Sequence, residues 1–439
     1  MSTHPMSPVD AAWYHMDGPA NRAIVTAVAI TRGPLDVRRL HAVLARRLLR
    51  FDRFRQRVVE LGLLLSTPEW EDVPDFSLDS HLRRTALPAP GDETQLRALV
   101  GELASEPLDP ARPLWQVHVV DNVAGGSAMI LRYHHCIADG TAMMTVGGRL
   151  FDKPMPSPPA RTAHAAPAGA ESDLLEAAAL AAGEAGALLS ELIKFPDPHS
   201  PFKGDFSPAK GVAWSTPVPI EDVKAIGAPV GAKVNDVLIA AVAGALRSYL
   251  KRRGIDVDRT TLRAMVPVDL RPPERMGELG NEFGLVILDL PVSAASPLQR
   301  LALTKARMDA IKRSPQAPAM RLLLDLFGRV PKLLEDLACE VFGSKASVVL
   351  TNVAGPRDTV RLAGVPVDRL LFCVPHPGDQ LGMGISIFSY RGMATLTVIA
   401  DAGLVPDPQA ITQAFQREFT AMLRRRSRRT SRREALPAA

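Results

Sequence analysis

Two adjacent histidines at the end of an apolar run constrain this chain more than any other feature. Ser127-Ala-Met-Ile-Leu-Arg-Tyr133 has the composition of a buried strand, and His134-His135-Cys136-Ile137-Ala138-Asp139-Gly140 follows it directly. Val117 to Asp121 and Ala128 to Tyr133 flank Ala124-Gly125-Gly126, the pattern of a hairpin that delivers the histidines. A strand end presents side chains to a cleft while the sheet fixes the backbone. Neighbours on an extended chain face opposite sides, so His134 and His135 do not act on one atom. One faces reacting groups and the other faces packing. Imidazole takes and returns protons near neutral pH, which makes acid–base chemistry the expectation. Asp139 is placed to orient an imidazole or pair with an arginine, and Gly140 allows close backbone approach. Metal-binding histidine pairs sit three or four apart on a helix with further ligands close by. Here the neighbours are Tyr133, Cys136 and Ile137, so no metal is expected.

The chain has 439 residues, enough for two domains of about 200 residues each. No apolar run reaches the roughly 18–20 residues needed to span a bilayer. The first residues lack the basic and apolar segments of a secretory signal, and Cys136, Cys339 and Cys373 are scattered. A reducing, cytoplasmic setting is expected. The net charge is +5, and seven arginines between Arg424 and Arg433 outweigh it, leaving −2 for the remainder. The basic tail, 421–439, is expected to be disordered and to meet anionic lipid. With no basic face interleaved with aromatics, no nucleic-acid partner is expected. The absence of GxSxG, HExxH and Walker strings removes serine hydrolases, zincins and P-loop enzymes. Nothing in the sequence sets an oligomeric state.

Periodicity gives the order of elements. Ser7 caps a first helix with Pro8 in its opening turn, Arg22 to Ile30 alternates into a strand, and Asp36 to Arg50 and Asp92 to Glu106 are amphipathic helices. Pro154 to Pro167 has linker composition, and Leu174 to Leu192 is expected to be a connecting helix. In the second half Asn235 is expected to cap the helix Leu238 to Lys251, with Asp236 in the first turn. Ala264 to Arg271 is a strand with a polar corner, Met320 to Phe342 is apolar, and Gly382 to Gly392 has hairpin character. The expected divisions are an N-terminal domain at 1–155, a linker with connecting helix at 156–211, a C-terminal domain at 212–420, and the tail.

The HH-x-x-x-DG string resembles the active-site motif of the CoA-dependent acyltransferase superfamily, which includes chloramphenicol acetyltransferase and peptide-synthetase condensation domains. The chain is most similar to one branch, the bacterial wax ester synthase/acyl-CoA:diacylglycerol acyltransferases. Ser7-Pro-Val-Asp10-Ala-Ala-Trp13, Phe54-Arg-Gln-Arg-Val58, Pro113-Leu-Trp115, Asn235-Asp236, Gly280-Asn-Glu-Phe283, Thr351-Asn-Val-Ala-Gly-Pro356 and the Gly382 to Gly392 string carry that resemblance, from about Ser7 to about Pro408. It implies an α/β (α+β) fold of two chloramphenicol-acetyltransferase-like domains, with mixed sheets flanked by helices and an active-site tunnel at their interface. It implies that His135 is the general base, His134 supports it, and Asp139 forms a structural ion pair, with Arg271 as its candidate partner beside Gly140. Asn235, Asp236, Thr351, Asn352 and Ser386 are candidate substrate-binding groups, and Asn235, Thr351, Asn352 and Ser386 candidate oxyanion donors. Lys233, Lys345 and Arg357 are candidates for the CoA phosphates. The implied reaction is O-acyl transfer from acyl-CoA to diacylglycerol or a fatty alcohol at a membrane or lipid-droplet surface, with coenzyme A thioester as substrate and no other cofactor. The alternatives are a condensation-type acyltransferase with another acceptor or a carrier-bound donor, and a non-catalytic lipid-surface protein.

Overall fold

The computed structural model describes residues 3–60, 67–152, 200–275, 277–314, 316–327, 343–376 and 381–434. The expected linker at 154–167, the connecting helix at 174–192 and the apolar stretch beyond Phe327 to Phe342 lie outside the described residues. The strands are β1 (Thr3–Pro5), β2 (Ile24–Thr31), β3 (Gln56–Val59), β4 (Glu69–Asp72), β5 (Leu82–Ala86), β6 (Trp115–Val123), β7 (Gly126–His134), β8 (Lys210–Trp214) and β9 (Val218–Pro219). They continue as β10 (Leu262–Asp269), β11 (Phe283–Leu290), β12 (Val348–Ala354), β13 (Arg361–Leu362), β14 (Val365–Cys373), β15 (Met383–Tyr390) and β16 (Met393–Asp401).

Two mixed sheets organise the chain. The first runs β13-β14-β2-β7-β6-β5, and the second runs β11-β10-β12-β15-β16-β8 with β9 on β16. A small three-stranded sheet, β1-β4-β3, stands beside them. This is the expected α/β architecture, with one difference that matters for the site. β13 and β14 belong to the second half of the sequence and add to the edge of the first sheet, where β14 pairs antiparallel with β2. The sequence halves therefore interlock. Alternation along a strand reports which face is buried and is silent about which sheet the strand joins.

Local chemistry explains most element boundaries. Ser7 Oγ accepts the Asp10 N–H at 3.2 Å and starts the helix Pro8–His15. Asp92 and Gln95 form a reciprocal capping box at the start of the helix Glu93–Ser105. The expected helix at 36–50 is α-helical only over Val37–Val43 and continues as a π-helical turn, Leu44–Leu48. The helix expected from Leu238 starts earlier. Lys233 is its cap residue, Asp236 accepts the Lys233 N–H at 2.7 Å, and the helix spans Val234–Arg252. Asn235 is thus inside the first turn and not the cap. Of the tail expected at 421–439, the described residues reach Glu434. The last helix, Pro408–Glu434, carries on through the arginine run. Arginine is a good helix former, and a helix already nucleated by packing extends at little cost.

Among the described residues no single helix is long and apolar enough to cross a membrane. The apolar helix Val234–Arg252 is buried over most of its length against the second sheet and its neighbouring helices, as a core helix.

Candidate active site

His134 is the last residue of β7 and lies opposite Ile24 of β2. Its N–H donates to the Leu114 carbonyl at 2.9 Å, and the His135 N–H donates to the Ala23 carbonyl at 2.7 Å. The backbone is pinned from both sides where the sheet ends. Asp139 then caps the helix Gly140–Leu150, accepting the Ala142 N–H at 2.8 Å. Gly140 opens that helix, and an added Cβ would meet only Val353 Cγ2 at 3.5 Å, an ordinary contact.

The two imidazoles part company as strand geometry predicts. The His134 ring is buried near Tyr14, and its Nδ1 accepts the Cys136 N–H at 3.2 Å. An accepting Nδ1 places the proton on Nε2, which lies 3.6 Å from Asp17 Oδ1. Burial works against the Asp17 carboxylate, yet His134, the Ala23 N–H and Arg22 together hold it below its ordinary range.

His135 takes the opposite tautomer. Its ring stacks on Trp13, with centroids 3.9 Å apart and planes at 14°, and Phe283 lies beside both rings, 5.9 Å from His135 and 5.8 Å from Trp13. His135 Nδ1 lies 3.0 Å from Asn281 Oδ1. The orientation of that amide is decided by its other contacts. Asn281 Nδ2 donates to Asp10 Oδ1 at 2.8 Å and to the His135 carbonyl at 2.9 Å, while its backbone N–H also donates to Asp10 Oδ1. Both acceptors demand N–H groups, so the amide oxygen faces His135 and Nδ1 must be the donor. Nε2 is left with its lone pair. Arg53 secures Asp10 at 3.0 Å. Burial, opposed by the Asp139 charge, pushes the His135 pKa down to about 4, so the ring is neutral across the neutral range.

The expected ion pair is present. Arg271 donates to Asp139 Oδ2 at 2.6 Å, and both side chains are buried. The same carboxylate oxygen accepts the Glu282 N–H at 2.9 Å. Arg271 also donates to the carbonyls of Glu278 and Gly280. This pair joins the histidine loop of the first half to the 278–282 loop of the second, which carries Asn281.

The other candidate residues divide. Asn235 and Asn352 meet, with Asn352 Nδ2 donating to Asn235 Oδ1 at 2.5 Å. Nearby, Thr141 at the helix start donates to Asp269 Oδ2 at 2.9 Å. Asp236 serves its own helix cap. Thr351 lies opposite Ser386 in the β12–β15 register, but the Ser386 hydroxyl donates to the Phe372 carbonyl of β14. Its one proton is spent on joining the two sheets, which removes Ser386 as an oxyanion donor. Lys345 is buried, whereas Lys233 and Arg357 are exposed. Sequence reasoning missed Asp10, Trp13, Asp17 and Asn281 as parts of the site. The Ser7 to Trp13 and Gly280 to Phe283 strings contained three of them and gave no sign of what they touch.

A locked neutral histidine, stacked on a tryptophan where two interlocked α/β sheets meet, defines a proton-transfer site in a chloramphenicol-acetyltransferase-like fold. Two family models match the chain: the wax ester synthase/diacylglycerol acyltransferase catalytic domain over residues 6–194, and the C-terminal domain of the same family over residues 279–423. The chain belongs to the wax ester synthase/diacylglycerol acyltransferase family and is an acyltransferase. A relative from Mycobacterium tuberculosis, named as a diacylglycerol O-acyltransferase, is 28% identical over 94% of each chain. The wax ester synthase/diacylglycerol acyltransferase from Marinobacter aquaeolei VT8 has the same fold, with a TM-score of 0.71, 20% identity, and coverage of 96% of this chain and 99% of that one. The first condensation domain of the calcium-dependent antibiotic synthetase follows with a TM-score of 0.64, 18% identity, and coverage of 96% of each chain.

Proposed function

We propose that this chain moves a long-chain acyl group from acyl-CoA to the hydroxyl of a diacylglycerol or a fatty alcohol, with His135 Nε2 as the base. The locked tautomer carries this reading. Asn281 forces the His135 proton onto Nδ1, burial keeps the ring neutral, and Nε2 alone can accept a proton from substrate. The hydroxyl gives its proton to Nε2 as its oxygen bonds to the thioester carbonyl carbon. The tetrahedral intermediate collapses, the carbon–sulfur bond breaks, and the imidazolium returns the proton to the CoA sulfur. The products are an ester and free CoA. A base so positioned contributes about 10²–10⁴-fold. His134 and Asp139 position the loop, and Asn235, Asn352 and Thr351 remain candidates for the oxyanion and substrate contacts.

The ester product and acceptors of this kind are water-insoluble, so the working place of the enzyme is the surface of a membrane or lipid inclusion, reached from the cytoplasm. The test is thiol release from palmitoyl-CoA with and without hexadecanol or diolein, beside His135→Ala. Acceptor-dependent release that is lost in a folded His135→Ala protein is expected. Release that persists in that variant overturns the assignment of the base, and the better acceptor identifies the preferred reaction.

A further inference from the structure

The arginine run is not a loose end of the chain. The helix Pro408–Glu434 buries Ala410, Ile411, Ala414, Phe415, Phe419 and Met422, so its first half is part of the second core. Its direction can be read from its partners. Asp407, just before the helix, accepts from Tyr249 and Arg252 at the C-terminal end of the helix Val234–Arg252. Eleven residues later, Glu418 lies against Gly244 and pairs with Arg300. The two helices are therefore antiparallel. At 1.5 Å per residue, about ten more residues bring the last helix level with Lys233 and Val234. Residues 424–433 thus run level with and beyond the end of the domain where Asn235 meets Asn352 and Thr141 meets Asp269.

The same end presents an exposed Lys233 and an exposed Val230 on the turn Ala228–Val230. Arg417, Arg424 and Arg425 line one open groove along the last helix, about 540 Å³ in volume. Beyond it, arginines recur at 424/425, 428/429 and 432/433. A four-residue recurrence keeps positions on one side of a helix. Serine, threonine and glutamate occupy most of the intervening positions, 427, 430, 431 and 434.

We infer that this helical arm is an electrostatic anchor for an anionic phospholipid bilayer, and that it holds the Asn235–Asn352 end of the enzyme toward the lipid surface. The choice of a lipid surface rests on the function proposed above. The charge argument is independent of it. Without the seven arginines of the run, these six and Arg426, the chain carries −2, so attraction to an anionic surface concentrates on this one projection. Cations in this number and spacing suit a plane of phosphate headgroups, and each adds to binding only within about a Debye length of the surface.

The test is flotation of the full chain with vesicles of phosphatidylcholine alone or with 30% phosphatidylglycerol (a composition at the experimenter's choice, of the order that gives a substantial surface potential). The comparison is a variant with Arg424, Arg425, Arg428, Arg429, Arg432 and Arg433 changed to Gln. The expected result is binding only to the anionic vesicles, weakened at least about a hundredfold by the substitutions and by raising salt. Palmitoyl transfer to an acceptor in detergent should be unchanged in the variant, while transfer to diolein embedded in anionic vesicles falls. Equal binding of both proteins to anionic vesicles overturns the anchor, as does tighter, salt-sensitive binding of the arm to duplex DNA. Loss of transfer in detergent by both proteins would instead refute the proposed function.

Discussion

Asn281 Oδ1 accepts from His135 Nδ1 at 3.0 Å, and the amide cannot turn around because its N–H groups are held by Asp10 and by the His135 carbonyl. Asn281→Ala removes the lock and leaves His135 free to exchange tautomers and rotate on Trp13. Turnover is expected to fall by about 10²-fold with little change in KM, because the lost effect acts on the proton-transfer step. Steady-state kinetics with varied palmitoyl-CoA check this. A rise in KM at constant kcat would make Asn281 a binding residue instead.

The Arg271–Asp139 pair is predicted to matter for stability more than for chemistry. Removing one partner of a buried, hydrogen-bonded pair leaves the other charge without compensation, at a cost of about 3–5 kcal/mol. Arg271→Met should lower stability in urea by about that amount. Adding Asp139→Asn should recover part of the loss, since the uncompensated carboxylate is then gone. A double variant no more stable than Arg271→Met would mean that the pair acts through the Gly280 and Glu278 carbonyls and not through charge.

Much of this was legible in the sequence, for physical reasons that differ by element. The histidine junction was legible because a strand has a period of two and the apolar run gives way to the histidines where β7 ends, at His134. Ser7 and Asp92 announced helix starts because side-chain caps are local. The Asp139–Arg271 pair rested on resemblance, since its partners are 132 residues apart. The entry of β14 into the first sheet, the half-buried placement of Asp17 beside His134, and the Asp10–Asn281 contact are all long-range. Nothing in the local pattern of Ser7 to Asp17 distinguishes a carboxylate that caps a helix from one that aligns an amide 271 residues away. The misplaced cap at Asn235 is the reverse case. Asn is a favoured cap residue, but the Asp236 carboxylate accepting the Lys233 N–H sets the cap two residues earlier.

Cys136 adjoins the base but is predicted to take no covalent part. Burial first, and the Asp10 carboxylate next, push its thiol well above its ordinary pKa of 9, so thiolate is scarce at neutral pH. Cys136→Ala should keep turnover within about threefold of the parent, the spread expected for a small volume change in a core. The folded parent should resist iodoacetamide at this position. A folded Cys136→Ala protein as inactive as His135→Ala would point to an acyl-cysteine route.

The pH dependence follows from three histidines, His135 and His376 buried and His118 half-buried. His135 and His118 are pushed down to about 4 and His376 to about 3, in each case chiefly by burial. For activity, the competent form of His135 is the neutral one. kcat/KM should stay flat from pH 8 down to about 5 and fall only as the ring protonates near pH 4. For stability, the unfolded chain binds these protons near the ordinary value of 6.5, before the folded chain does. Protonation therefore favours unfolding, and stability present above pH 6.5 is lost progressively as pH falls toward 4 and below. Urea denaturation midpoints between pH 8 and pH 4.5, measured beside initial rates over the same range, separate the two effects. The midpoint should drop between pH 6.5 and 4.5 while the initial rate of the still-folded enzyme holds. A rate that halves near pH 6.5 in fully folded protein would show His135 titrating as an exposed imidazole, and the buried, amide-locked base would have to be given up.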